Sequence, residues 1–245
     1  MTLPPGQRPI ASFPRFGLLR FAKRFPRKPD TVRFELSSDG RVVGEVGPDR
    51  WGALPRTIQL SDFHCVTTWS SLGHRWEGVG FRDFCTAFAL IQACEDQLVV
   101  FRGSDGYHAA LPLVDLLQPE VLLADRLDGA PLPVAHGAPL RLVAPAHYGY
   151  KNVKHIERIE FGVHPRRYRP AGPGFIFHPR ARVAMEERGV GFPGWLLRRA
   201  YRPLIAPTIM RCAEALEMYQ AKNHSPTTSE HTPRQPASKL RSGGQ

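Results

Sequence analysis

The sequence predicts an α+β protein built from mixed β-sheets joined by short helices and many loops. Three observations carry that expectation. Short runs with period-two or β-branched and aromatic character recur through the first 163 residues. Helical periodicity is confined to 81–94, a brief turn at 111–117 and the C-terminal part. The 24 prolines and 22 glycines among 245 residues are too many for a helical bundle. The length suits one sizeable domain with extensions, or two small ones.

Residues 1–30 read as an extended basic arm. They hold Pro4, Pro5, Pro9, Pro14, Pro26 and Pro29 and seven basic side chains, and proline at that density excludes a long helix. A core domain is expected over 31–163. It opens with a hairpin, in which Val32, Phe34 and Leu36 alternate before the turn at Asp39-Gly40 and Val42 and Val43 follow it. Strand-like runs come next at 57–60 and 63–69. In 81–94, Phe81, Phe84, Cys85, Phe88, Leu90, Ile91 and Cys94 fall mostly at three- and four-residue steps, the spacing of an amphipathic helix. Further strands are expected at 98–101, 121–127, 140–143 and 153–161. Residues 164–221 read as an irregular Pro, Gly and Arg segment and then a helix from about Thr208, packing on the core or a partner. The polar tail 222–245 is expected to be disordered.

The net charge is +11, but it is uneven. Residues 1–60 hold 11 basic and 5 acidic groups, 61–163 hold 8 and 12, and 164–245 hold 14 and 5. The middle is acidic and the flanks carry the excess. That distribution argues against nucleic acid as the natural partner of the folded core. The four cysteines, Cys65, Cys85, Cys94 and Cys212, form no CxxC pair, which argues against a zinc ribbon. No apolar signal core opens the chain, and no run of about 18 apolar residues occurs. A cytoplasmic protein with reduced thiols is therefore expected. The basic, apolar stretch from Trp195 to Ile209, broken by Pro203 and Pro207, leaves peripheral membrane contact open.

Three features could carry chemistry. Cys65 lies in an apolar run beside His64. It is either a small buried hydrophobe, or a nucleophile or soft-metal ligand. Arg141, Lys151, Lys154 and Arg158 stand among Gly137, Gly149 and Asn152. They form either a phosphate site or an ordinary charged strand edge. Neither GxxxxGK[ST] nor a strand-linked GxGxxG is present, so the phosphate would not belong to a common nucleotide motif. Gly103-Ser104-Asp105-Gly106-Tyr107 is a turn that could project Tyr107 into a pocket. Tyr107, His64 and Tyr148 are the candidate substrate-side groups.

Taken in order, the segments DFHCVTTWSSLGHRWEGVGFRDF at 62–84, SDGYHAALPLVDLL at 104–117 and LDGAPLPVAHGAPLRLVAPAHYGYKNVKHIERIEF at 127–161 resemble the sulfite-oxidase-like, molybdopterin-dependent oxidoreductases. LPPGQ at 3–7 extends the likeness more loosely. The resemblance implies that family's molybdopterin-binding fold, a molybdenum–molybdopterin cofactor, and Cys65 as the protein's ligand to the metal. It places Arg141 against the cofactor's phosphate, with Lys151, Asn152, Val153 and Lys154 in the loop binding the same group. His136 stands where sulfoxide-reducing bacterial relatives carry an asparagine, and Gly103 stands near a threonine of theirs.

The implied activity is two-electron oxygen-atom transfer on a small sulfoxide- or sulfite-like substrate. The cofactor does the hard chemistry while the protein binds and tunes it. No second redox centre is visible, so a separate electron-transfer protein is expected. The middle section has few spare arginines, among them Arg75, Arg102 and Arg126, which argues against a sulfite specialist. The competing reading is a non-catalytic module that binds the cofactor, nucleic acid or another anion.

Overall fold

The computed structural model describes residues 3–17, 19–26, 30–90 and 97–224. In chain order its strands are β1 (Arg8–Pro9), β2 (Phe34–Ser38), β3 (Arg41–Val46), β4 (Thr57–His64), β5 (Trp69–Gly80), β6 (Leu98–Gly103), β7 (His108–Pro112), β8 (Leu122–Leu127), β9 (Ala130–Pro131), β10 (Arg141–Val143) and β11 (Ile156–Val163). Its α-helices are α1 (Pro48–Gly52), α2 (Phe81–Ala87), α3 (Leu113–Leu116), α4 (Gly194–Tyr201) and α5 (Ile205–His224).

Two sheets form, and both are mixed. One runs β3-β2-β11-β6-β7, with β2 parallel to β11 and the other neighbours antiparallel. The other runs β1-β5-β8-β10, with β4 also on β5 and β9 on β8. There β1 is parallel to β5 and the remaining pairs are antiparallel. One apolar core draws on both sheets: Phe34, Leu36, Phe101, Ile159 and Phe161 come from the first and Val79, Leu123 and Leu142 from the second. Helix α2 adds Phe81 and Phe84, both fully buried. Each such side chain is worth roughly 1.5–3 kcal/mol of burial.

The C-terminal part fastens the periphery. Helix α4 buries Leu197 and Tyr201, four residues apart on one face, in a cluster with Val66, Tyr148, Ala181 and Val183. Helix α5 lies on the N-terminal arm. The buried Cys212 donates its thiol to the Gly17 carbonyl at 3.6 Å, and Tyr219 stacks on Phe25 at 4.3 Å. Among the described residues no helix is long and apolar enough to cross a membrane.

Several elements differ from the sequence reading. The run 63–69 is no strand of its own. It holds the end of β4, a turn at 65–68 and the first residue of β5. Most of β5 was not anticipated, because Gly73, Gly78 and Gly80 weaken its signal. Helix α2 stops at Ala87, where Ala89 turns to φ 53°. Cys94 and the rest of that predicted helix after Leu90 lie outside the described residues, as does 225–245. Strand β11 starts at Ile156 rather than 153, since 149–155 is folded as a loop. Helix α4 falls in the segment read as irregular.

Gly78 shows why glycine occupies β5. A methyl group there would lie 1.9 Å from the Leu123 carbonyl oxygen of the neighbouring strand. Gly78→Ala is expected to lower stability by about 1–3 kcal/mol through overpacking. Urea unfolding measures this, and an unchanged midpoint would contradict the close approach.

Candidate functional site

The β4–β5 connection builds one wall. Strand β4 ends at His64, and the chain reverses through Cys65–Thr68. The Cys65 amide donates to the Trp69 carbonyl at 2.8 Å, and the Thr68 amide donates to the Cys65 carbonyl at 3.1 Å. Thr68 takes φ 85°, a conformation that costs a β-branched residue of order 1–3 kcal/mol unless its surroundings enforce it. Gln7, from the arm, donates its side-chain amide to the Cys65 carbonyl at 3.1 Å. Arg188, from the C-terminal part, donates to the Val66 carbonyl. The Cys65 Sγ lies 3.1 Å from the Thr67 hydroxyl. Burial pushes the thiol up to about 11, while Thr67, Arg188 and Lys154 pull the other way.

The opposite wall comes from residues 137–155. Asn152 holds it in shape: its Oδ1 accepts from the Ala144 amide at 2.6 Å, and its Nδ2 donates to the His147 and Tyr148 carbonyls at 3.3 Å. Gly149 passes so close to Phe63 that a methyl group would meet the ring at 2.3 Å. Gly137, at φ 119°, lies against Arg141 and Lys154. His155, at φ 57°, closes the loop by donating Nδ1–H to the Ala138 carbonyl at 2.6 Å.

Between these walls lies an open-mouthed cavity with about 1160 Å³ of atom-free space, its mouth included. Cys65, Tyr107, Asn152 and Lys154 line it together. So do Arg15, Asp105 and His155, which the sequence reading passed over, and an aromatic and aliphatic rim that includes Phe16, Phe21, Ile176, Phe177 and Tyr201. The Tyr107 hydroxyl donates to the Tyr150 carbonyl at 2.7 Å, and burial holds the phenol well above its ordinary range.

Arg141 stands behind the wall. It is fully buried, its guanidinium 5.4 Å from the ring of Phe63, which faces the cavity, and 4.9 Å from that of Trp76. It donates to the His136 carbonyl at 2.8 Å and to the Asn152 carbonyl at 3.5 Å. His136 itself stacks on Phe13 of the arm at 4.2 Å, and its Nδ1 is buried without a hydrogen-bond partner in the protein.

Other expected contacts point elsewhere. His64 does not reach the cavity. It is the last residue of β4, and its ring turns to Ser70. The His64 Nδ1 is 2.7 Å from Ser70 Oγ, whose hydroxyl donates to Gln7 at 3.0 Å. Lys151 donates to the Ala110 and Pro179 carbonyls at 2.7 and 2.6 Å, stapling two segments instead of lining the cavity. Val153 is a core side chain. Gly103 is a packing position, where a methyl group would lie 2.4 Å from the Lys154 carbonyl. Tyr148 packs under Arg188, 4.9 Å from its guanidinium.

The electrostatics define what fits. Arg141 and Lys154 make no ion pair among the described residues; backbone carbonyls solvate them instead, with Ala135 accepting from Lys154 at 2.9 Å. Burial lowers Arg141 to about 9 and, with repulsion from Arg141, Lys154 to about 7. A buried cation with no carboxylate partner, as Arg141 is, marks a site for an anion; for Lys154 the Asp105 carboxylate in the same lining offsets part of the charge. Together with a buried sulfur on the facing wall, these cations suit a ligand bearing a phosphate at one end and a soft metal at the other.

A site and fold of this kind define a cofactor-binding domain. The chain belongs to the family described as "Oxidoreductase molybdopterin binding domain", whose profile matches residues 25–168. It is 32% identical over 161 residues to the "Uncharacterized oxidoreductase YuiH" of Bacillus subtilis, spanning 65% of this chain and 78% of that protein. It is 33% identical over 136 residues to YedZ1 of Azospira oryzae, named as a candidate subunit of a protein-methionine-sulfoxide reductase, over 54% of this chain and 50% of that protein. It is 39% identical over 94 residues to the mitochondrial sulfite oxidase of Homo sapiens, over 35% of this chain and 17% of that protein. The chain thus spans half of the Azospira protein and under a fifth of the human one.

Lys151 gives the site's surroundings a pH signature. Burial lowers its folded pKa to about 7 from an ordinary 10.5. Between those values the unfolded chain binds the extra proton, so stability rises with pH across that window. Urea unfolding at several pH values is expected to show this rise, with a shallower slope in Lys151→Met. Equal slopes would place the ammonium in water.

Proposed function

We propose that this protein is a molybdenum–molybdopterin-dependent oxidoreductase that transfers an oxygen atom to or from a small sulfoxide- or sulfite-like substrate. The observation that supports this best is the shared cavity, in which the Cys65 thiol and the unpaired Lys154 ammonium open onto the same space. Cys65 is the proposed protein ligand to the metal. Lys154, the backbone of 152–154 and Arg141 behind them would hold the phosphate, with Arg141 offering a forked donor and Lys154 a point charge. When bound, the cofactor supplies two-electron redox chemistry at its metal.

The residues around it have narrower tasks. Thr67 steadies the sulfur, and Tyr107 offers its hydroxyl oxygen to the cavity from a ring fixed by the Tyr150 carbonyl. The aromatic rim gives the mouth an apolar lining. The cavity also favours an uncharged sulfoxide over a dianion. Arg102 is paired with Glu160 at 2.8 Å, and Arg75 and Arg126 both pair with Glu77. Of the cations that do line the cavity, Arg15 is already committed to the carbonyls of Ala22, Phe21 and Arg24. Electrons would pass to or from a separate protein, and a cytoplasmic location, where thiols stay reduced, belongs to the same proposal.

Two substitutions test it. Cys65→Ser exchanges a soft donor for a hard one. It is expected to keep the pterin, read by fluorescence after release, while losing nearly all turnover with an artificial electron dye and a sulfoxide. Wild-type turnover would remove Cys65 from the metal. Arg141→Ala is expected to purify largely free of molybdenum by elemental analysis. A full complement of metal would take Arg141 out of the site.

A further inference from the structure

We infer that Arg188 is a positioning residue for Cys65, so that the segment after the family-matched region is a working part of the metal site. This rests on the proposed function above.

Arg188 is fully buried, an uncommon state for an arginine. Its guanidinium reaches three chain segments. Nη1 donates to the carbonyl of Val66, the residue directly after Cys65. Nη2 donates to the Pro5 carbonyl of the arm at 3.1 Å. Nε pairs with Glu186 at 3.2 Å, and the guanidinium carbon sits 4.9 Å from the centre of the Tyr148 ring. The carbonyl on the other side of this peptide step, that of Cys65, is held by Gln7. The turn that aims the sulfur is therefore fixed at both of its first two carbonyls.

The two anchors have something in common. Neither Gln7 nor Arg188 lies within 25–168, the region matching the family. The matched region supplies the thiol and the cavity, while the extensions supply the grip on the turn. A planar, multiply donating side chain is suited to joining two carbonyls and a carboxylate in fixed geometry, and lysine could satisfy only part of that set. The charge matters too. Arg188 and Lys154 both favour the thiolate form of Cys65.

The test uses the full-length protein loaded with cofactor. Arg188→Met keeps bulk but removes the donors and the charge. Pterin content is expected to stay near wild type, because the phosphate end is held elsewhere. The sulfur-to-metal absorption band is expected to shift, and the electron paramagnetic resonance signal of the half-reduced centre to broaden or split. A loaded variant with the wild-type band and signal would reduce Arg188 to a structural staple and overturn the inference. If Arg188→Met does not fold, Arg188→Lys decides. It loses at least one carbonyl contact, so an unshifted band there overturns the inference as well. A wild-type protein without metal or pterin would defeat the proposed function instead, so the two failures are distinguishable.

Discussion

Positive charge buried without a salt-bridge partner is the constraint around which this site is arranged, with Asp105 in the cavity lining offsetting Lys154 only in part. Arg141 is fully buried and Lys154 partly so. An unpaired buried cation is costly, and the protein offsets that cost only in part, by turning carbonyls toward it. Ala135, His136 and Asn152 all give their carbonyl oxygens to this purpose. The loops of 133–139 and 149–155 must therefore be irregular, since a strand would spend those carbonyls on its neighbour. The sharp turns at Gly137 and His155 follow from that requirement. An anion that enters supplies the missing charge, so occupancy and stability are linked.

The opposite wall solves a different problem. A cysteine in the middle of a strand would point its sulfur at a fixed angle set by the pleat. Here the sulfur sits at the start of a tight turn instead, where its direction depends on a few backbone bonds and on the left-handed Thr68. Such a turn would be loose by itself. It is held from outside by Gln7 and Arg188, and those residues are held in turn by the packing of α4 and by the path of the arm. Helix α5, through Cys212 and Tyr219, keeps the arm in place. The extensions thus carry mechanical load that the two sheets do not.

Much of this was legible in the sequence, for identifiable reasons. The hairpin around Asp39-Gly40 was visible because turn residues there take positive φ, 49° and 77°. Cys65 and Lys154 were singled out by chemistry and by segment order, and the two line one cavity. The errors came from contacts that no local pattern encodes. Lys151 looks like Lys154 in sequence, yet one staples the chain and the other faces the cavity. His64 borders the key residue and still points away, held on Ser70. Gln7 and Arg188 were missed because their importance comes from partners distant in the chain. Arg188 and Val66 are 122 positions apart.

The two walls, read together, specify more than either alone. Burial pushes the Cys65 thiol up, so by itself it would stay protonated and bind nothing well. A metal ion reverses that logic, since a coordinating thiol gives up its proton to the local positive charge. Across the cavity the cations call for the opposite sign. Neither a free metal ion nor a free phosphate would satisfy both walls. A free metal would leave Arg141 and Lys154 uncompensated, and a free phosphate would leave the thiol as it was. A single molecule that carries metal and phosphate at separate ends balances both walls at once. With Cys65 and the cations in their proposed roles, the charge pattern favours the intact metal-bearing cofactor over its fragments.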